Sequence, residues 1–186
     1  WVEFLAERNV PLVGSEKGGP YTVNLDQNGL VKDATELLLA NGRDRIAFLE
    51  WGATTRDKGK EDLFLAPFRN TLEEHDVPFR QEWVFGNISP VQRGSEWERF
   101  RDLWKQSAQK PDGMVICDDC LYCEAAPAIL SLNIQVPEEL LVLSHANKDS
   151  PISYPFPTIR LECDPDEHAR SRVDLLVSLI EGEDVE

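Results

Sequence analysis

The chain has 186 residues, enough for one domain or two small lobes with a real core. Its 41% apolar and 28% charged composition is that of a globular chain, with no apolar run near the about 18–20 residues of a membrane span and no signal peptide at its start. A net charge of -15 excludes a nucleic-acid-binding surface on this piece as it stands, because phosphate backbones would repel it.

Helix and strand patterns alternate along the chain. Val2, Phe4 and Leu5 open a short amphipathic helix ending near Asn9. Residues 10–14 read as a short buried strand, 17–20 as a glycine turn and 21–25 as extended. Asp26 is placed as an N-cap for a helix carrying Leu30, Val31, Ala34, Leu37 and Leu38, with Gly42 as its C-cap glycine. A strand over 45–49 and a polar loop over 52–60 follow, then a helix through Leu63, Leu65, Phe68 and Leu72. The pattern predicts a strand over 82–85, a helix from Ser89-Pro90 to about Ser107 and a strand over 114–117. It continues with a helix over 119–132, a strand over 140–143, a proline-broken crossing over 150–157 and a short strand over 158–161. Asp164-Pro165 caps a last helix through Val173, Leu176 and Ile180, and 181–186 reads as a frayed acidic tail. Repeated β-α units with short buried strands imply an α/β fold with a parallel sheet and flanking helices.

Open α/β sheets bind ligands at the carboxyl ends of their strands. That rule nominates Ser15 and Glu16, Glu50 and Trp51, Asn87 and Ile88, Asp118 and Asp119, and His145 to Asn147. Each has a plainer alternative. Asp118 would serve equally as an N-cap for the helix after it, worth about 1 kcal/mol. Glu16 fits a loop carboxylate and Trp51 fits packing.

Cys117, Cys120 and Cys123 form a C-x2-C-x2-C run. A ferredoxin-type run needs a fourth cysteine where Pro127 stands, and Cys163 is far away in sequence. Zinc also asks for four ligands. Cys120 and Cys123 share a helix face, with Cys117 at the strand end below, which packing between helix and sheet explains. We therefore expect no metal. Four cysteines are too few for a disulfide scaffold, and free thiols point to the cytoplasm. His75, His145 and His168 show no zinc-protease spacing, and no P-loop, G-x-S-x-G or G-x-G-x-x-G occurs. No catalytic residue, enzyme activity or cofactor is expected.

Five segments in order carry a resemblance: N-V-P-L-V at 9–13, A-N-G-R-D-R-I-A-F-L at 40–49, F-R-N-T-L-E-E-H at 68–75, P-D-G-M-V-I-C-D-D at 111–119 and V-P-E-E-L-L-V-L-S at 136–144. The last runs through a proline-rich crossing into P-T-I-R at 157–160. Together they resemble the effector-binding domain of LacI/GalR-type transcriptional regulators, a periplasmic-binding-protein-like fold. The resemblance implies that 25–157 is mostly the C-terminal lobe, with 1–24 and 158–186 parts of the N-terminal lobe. It implies a small-molecule, sugar-like effector, lobe closure on binding, a homodimer, no membrane, and DNA contact only through an N-terminal module absent here. The start at Trp1, inside a helical pattern, reads as a fragment.

Carried over residue by residue, the family pattern puts Asp118 where a polar residue hydrogen-bonds sugar hydroxyls, Glu16 at an acidic cleft position and Trp51 where a ring could stack on a sugar. Ile88, His145 and Asn147 complete the strand-end set. Two departures stand out. Phe64 and Pro67 occupy positions where the family has the Arg and Gly of R-x-x-G-F, and Ala146 stands where it has an Asp. Ligand identity is open on this reading. A periplasmic solute-binding protein of the same fold and a cysteine-based metal or redox protein are the alternatives.

Overall fold

The computed structural model describes residues 2–14, 20–51 and 64–183. Ser15, Glu16, most of the glycine turn, the polar loop with Arg56-Asp57-Lys58, Leu63 and the end of the acidic tail lie outside the described residues. The chain forms two compact units, one of residues 1–26 and 164–186 and one of Gln27–Cys163.

The smaller unit holds helix α1 (Val2–Ala6) and the two parallel strands β1 (Val13–Gly14) and β2 (Tyr21–Thr22). Its long helix α6 (Pro165–Glu181) starts on Asp164, whose side chain accepts from Asp166 N at 3.0 Å and Glu167 N at 3.3 Å. Asp-Pro at a helix start works because Oδ1 satisfies free amides and proline lacks one. The strand expected over 10–14 is shorter and only half-buried, and Val10 is exposed.

In the larger unit, α2 (Gln27–Ala40) begins one residue after Asp26, and Gly42 past its end has φ +74°, the left-handed turn only glycine adopts easily. It leads into β3 (Ile46–Leu49), which is buried throughout. Then come α3 (Leu65–Glu74), β4 (Val84–Phe85), α4 (Trp97–Gln106), β5 (Gly113–Ile116), α5 (Asp119–Ser131), β6 (Leu141–Asn147) and β7 (Ile159–Cys163). The strands pair in parallel in the order β4-β3-β5-β6-β7.

Each face of this sheet buries its own apolar cluster. On one side Val31, Ala34, Leu38, Leu65, Phe68 and Leu72 of α2 and α3 meet Phe48, Val115, Cys117 and Leu143. On the other, Phe100 and Trp104 of α4 and Leu121, Tyr122, Ala125 and Ile129 of α5 meet Leu49, Met114, Ile116 and Val142. Alternate strand residues thus point to opposite helix layers, and a sheet covered twice reads as unbroken apolar runs. Asp112 locks the strand starts, accepting Arg45 N at 3.0 Å on Oδ1 and Arg45 Nη2 at 2.7 Å on Oδ2.

Within the larger unit the strand expected over 140–143 runs on as Leu141–Asn147, and two other elements differ more. The strand over 82–85 is only Val84–Phe85, preceded by a 3-10 turn over Gln81–Trp83. The helix expected from Ser89-Pro90 starts at Trp97. Side chains divert the backbone there: Asn87 Oδ1 accepts from Ser89 N at 2.7 Å, and Ser95 Oγ donates to Ser89 O at 2.6 Å. Short polar side chains compete with helix hydrogen bonds in this way. Gly94 then adopts φ +81°, incompatible with a continuing helix.

Candidate functional site

Strand order decides where a ligand can sit. From β3 the chain goes to β4 on one side and returns to β5 on the other. Helix α3, which follows β3, and helix α5, which follows β5, pack on opposite faces of the sheet, the arrangement that marks a crevice at the carboxyl ends of these two strands. β3 leads into Glu50 and Trp51, and β5 leads into Cys117 and Asp118.

These two ends touch. The indole Nε1 of Trp51 donates to Asp118 Oδ1 at 3.0 Å. The same oxygen accepts from Cys120 N at 2.9 Å and Leu121 N at 3.0 Å, capping α5. Asp118 takes an extended backbone, φ -151° and ψ 138°, as an N-cap requires. The capping role set beside the ligand role in the sequence is thus filled by Oδ1. Trp51 remains 44% exposed, so its ring is open to solvent while its N–H is held.

The next strand end is tied in by a neighbouring carboxylate. Asp119 is 5% exposed, and its Oδ2 accepts Asn147 Nδ2 at 2.9 Å and Asn147 N at 3.4 Å. This links the start of α5 to the end of β6. By sequence alone Asp119 is one strand-end residue among several. Two acidic residues in a row after a strand were the visible signal, but their division of labour depends on helix phase.

The other nominated residues are placed differently. His145 is half-buried on β6, and its Nδ1 is buried without a hydrogen-bond partner among the described residues. Ile88 is fully buried in the cluster with Phe85 and Phe100. Phe64 is half-buried at the start of α3, packed against the cluster of α2 and α3. Glu16 lies outside the described residues. Trp51, Asp118 and Asn147 are therefore drawn into one chain of contacts through Asp119, while Ile88 and Phe64 join opposite apolar layers. Glu50 is buried behind Trp51 at 3% exposure, and its backbone N–H donates to Phe85 O at 3.0 Å.

The first turn of α5 is strongly negative. Asp118, Asp119 and Cys120 hold their ligand atoms within 4.8 Å of one another. The Cys120 thiol is pushed above its ordinary pKa, first by the Asp118 carboxylate and then by burial and Asp119. The Cys123 thiol is raised by burial, then by Asp119 and Glu124. Behind them, burial pushes the Tyr122 phenol up to about 12, although its hydroxyl is 3.0 Å from Thr158 Oγ1.

A family model described as periplasmic binding protein-like domain matches residues 35–186. The chain belongs to that family. Among curated proteins, this periplasmic binding protein-like chain is 22% identical to the uncharacterized HTH-type transcriptional regulator YkvZ of Bacillus subtilis (strain 168), over 89% of the chain and 49% of the relative. It is 24% identical to catabolite control protein A of Staphylococcus xylosus, over 78% of the chain and 43% of the relative. It therefore spans about half the length of the curated relatives it matches. Among solved structures, a sugar-binding transcriptional regulator (LacI family) from Escherichia coli, complexed with phosphate, matches with TM-score 0.73 and 19% identity, over 99% of this chain and 66% of that one. That likeness agrees with the parallel sheet and flanking helices expected from the sequence. Among the described residues no helix is long and apolar enough to cross a membrane.

Proposed function

We propose that this chain is the effector-sensing part of a bacterial LacI-type transcriptional regulator, and that 27–163 is its C-terminal lobe. The effector is a small polyhydroxylated molecule of the sugar class, received at the strand ends that carry Trp51, Asp118, His145 and Asn147. The observation that carries this reading is the Trp51–Asp118 hydrogen bond across the β3/β5 switch point, which holds an exposed aromatic ring beside a fixed carboxylate. Rings with polar edges suit sugars, whose C–H faces stack while their hydroxyls need acceptors.

The departures shape the ligand. Phe64 supplies no guanidinium fork and Ala146 no carboxylate. The effector consequently depends on fewer charged contacts than a bidentate arginine would allow. The whole regulator works as a cytoplasmic homodimer whose DNA contact is made by an N-terminal module. The reading is supported by the regulator identity of its relatives and by the free thiols of Cys120, Cys123 and Cys163. It treats the protein as a switch rather than an enzyme.

The test is a thermal-shift panel of pentoses, hexoses and nucleosides, followed by calorimetry on any hit. A true effector at about 100 times its Kd raises stability by about 2.7 kcal/mol. Trp51→Ala and Asp118→Ala should abolish the shift while the far-ultraviolet dichroism stays intact. No stabilisation by any panel member, or equal binding to both variants, overturns the proposal.

A further inference from the structure

We propose that Cys120 and Cys123 close a reversible disulfide across the first turn of α5, formed by exchange with a low-molecular-weight disulfide, and that Asp118 transmits this bridge to Trp51. The pairing stands apart from the effector reading and holds whether or not a sugar binds. It gives a sensor a second, oxidative input rather than a redox activity.

The sequence presents three evenly spaced cysteines, and the fold leaves one pair. Cys117 is 9% exposed and lies in the apolar cluster facing α2 and α3, whereas α5 packs on the opposite face of the sheet. Cys163 ends β7, two strands from β5 and so roughly 10 Å away at ordinary strand spacing. Cys120 and Cys123 are both free and exposed, and both lie on α5. Residues three apart on a helix share a face, with Cα atoms about 5 Å apart. Disulfides join Cα atoms about 4.4–6.8 Å apart, so the backbone already fits one. The helix also sits between the parallel strands β5 and β6, and a C-x-x-C opening the helix of such a unit is the arrangement that thiol redox pairs use. Where disulfides occur in a reducing compartment, they are of the transient, redox-sensing kind.

The bridge has a mechanical consequence. Cβ atoms about 5–6 Å apart on a helix must close to about 3.8 Å in a disulfide. The turn that must contract carries the amides of Cys120 and Leu121, which donate to Asp118 Oδ1 at 2.9 and 3.0 Å. The same oxygen accepts from Trp51 Nε1 at 3.0 Å. Oxidation therefore pulls on the contact between the β3 and β5 ends. A bridge closed against a helix is strained, and strained, exposed disulfides are the labile, regulatory class. In the exchange, one cysteine thiolate attacks the small disulfide, forming a mixed disulfide and releasing one small thiolate. The other cysteine thiolate then attacks the protein sulfur of that mixed disulfide, forming the Cys120–Cys123 bond and releasing the second small thiolate. The two cysteine protons pass through solvent to the leaving sulfurs. The cysteine pair loses two electrons and the small disulfide gains them.

The experiment incubates the full reduced chain with oxidised glutathione, then with reduced glutathione, and follows each thiol by alkylation and peptide mass spectrometry. The expected product is a peptide lighter by two hydrogens, with Cys120 and Cys123 unalkylated and no glutathione retained. Reduced glutathione should restore both thiols. Cys117→Ser and Cys163→Ser should keep the bridge, whereas Cys120→Ser and Cys123→Ser should each stop at a mixed disulfide on the remaining thiol. Oxidation should change the tryptophan emission, and Trp51→Phe should remove most of that change. Circular dichroism verifies that each variant is folded. No loss of thiols, glutathione retained on the parent chain, or a bridge to Cys117, Cys163 or a second chain overturns the pairing. A bridge that leaves the emission unchanged, or an emission change that persists in Trp51→Phe, overturns the coupling to Trp51.

Discussion

Trp51 Nε1 and Asp118 Oδ1 lie 3.0 Å apart, joining residues 67 positions distant in sequence at the ends of two adjacent parallel strands. One carboxylate oxygen thereby serves an indole and two helix amides at once. The site and the start of α5 are mechanically one object.

That coupling is measurable. Asp118→Ala removes the cap and should cost about 1–2 kcal/mol in urea unfolding. Trp51→Phe removes only the indole donor and should cost about 0.5–1.5 kcal/mol. A double-mutant cycle should return a coupling of about 0.5 kcal/mol or more. Additive losses would mean that the contact contributes nothing to the folded state.

Asn147→Leu tests the second link. It leaves Asp119, 5% exposed, without the amide that now donates to it at 2.9 Å. A buried carboxylate deprived of a donor costs about 1–3 kcal/mol. The urea midpoint should fall accordingly, and hydrogen exchange at the first turn of α5 should quicken. A midpoint within error of the parent would show that water replaces the amide at no cost.

Tyr122 carries an alkaline signature. Unfolded tyrosine ionises near pH 10, whereas burial raises Tyr122 to about 12. The neutral phenol's contribution is complete below about pH 10 and is lost as pH climbs from there through about 12, because the unfolded chain ionises first. Stability measured between about pH 9 and 11 should decline, and Tyr122→Phe should remove part of that slope. The same slope in both proteins would assign it to other groups.

The two exposed thiols should be sluggish nucleophiles. Cys120 is raised first by the Asp118 carboxylate, and Cys123 by burial and then Asp119. Thiolate is the reacting form, so alkylation by iodoacetamide near pH 7 should run slower than for a free cysteine peptide. Asp118→Asn should speed Cys120 specifically, as read by mass spectrometry of peptides. Equal rates before and after that change would remove Asp118 as the cause.

Phe68 tests the layer packed by α2 and α3. It is 1% exposed and stacked on Phe48 at 4.5 Å between ring centroids. Phe68→Ala should cost about 3–5 kcal/mol, since packing relaxes only partly around the void. A loss under about 1 kcal/mol would mean that the layer collapses freely.

Much of this protein could be read without coordinates. The alternation of β and α patterns, the Asp118 and Asp164 caps and the turn at Gly42 follow from local chemistry, because periodicity and capping act within a few residues. The strand ends named as candidates follow from that pattern too. Residues 87–96 escaped the reading because Asn87, Ser89 and Ser95 spend their side chains on the backbone, which apolar spacing does not register. Which strands neighbour which, and hence that Trp51 meets Asp118, was decided by tertiary structure. So was the sorting of the three cysteines into one buried in the sheet layer and two beside carboxylates on α5. Those relations depend on strand order and helix phase, which many residues set together through burial on both faces of the sheet, so no local spacing carries them.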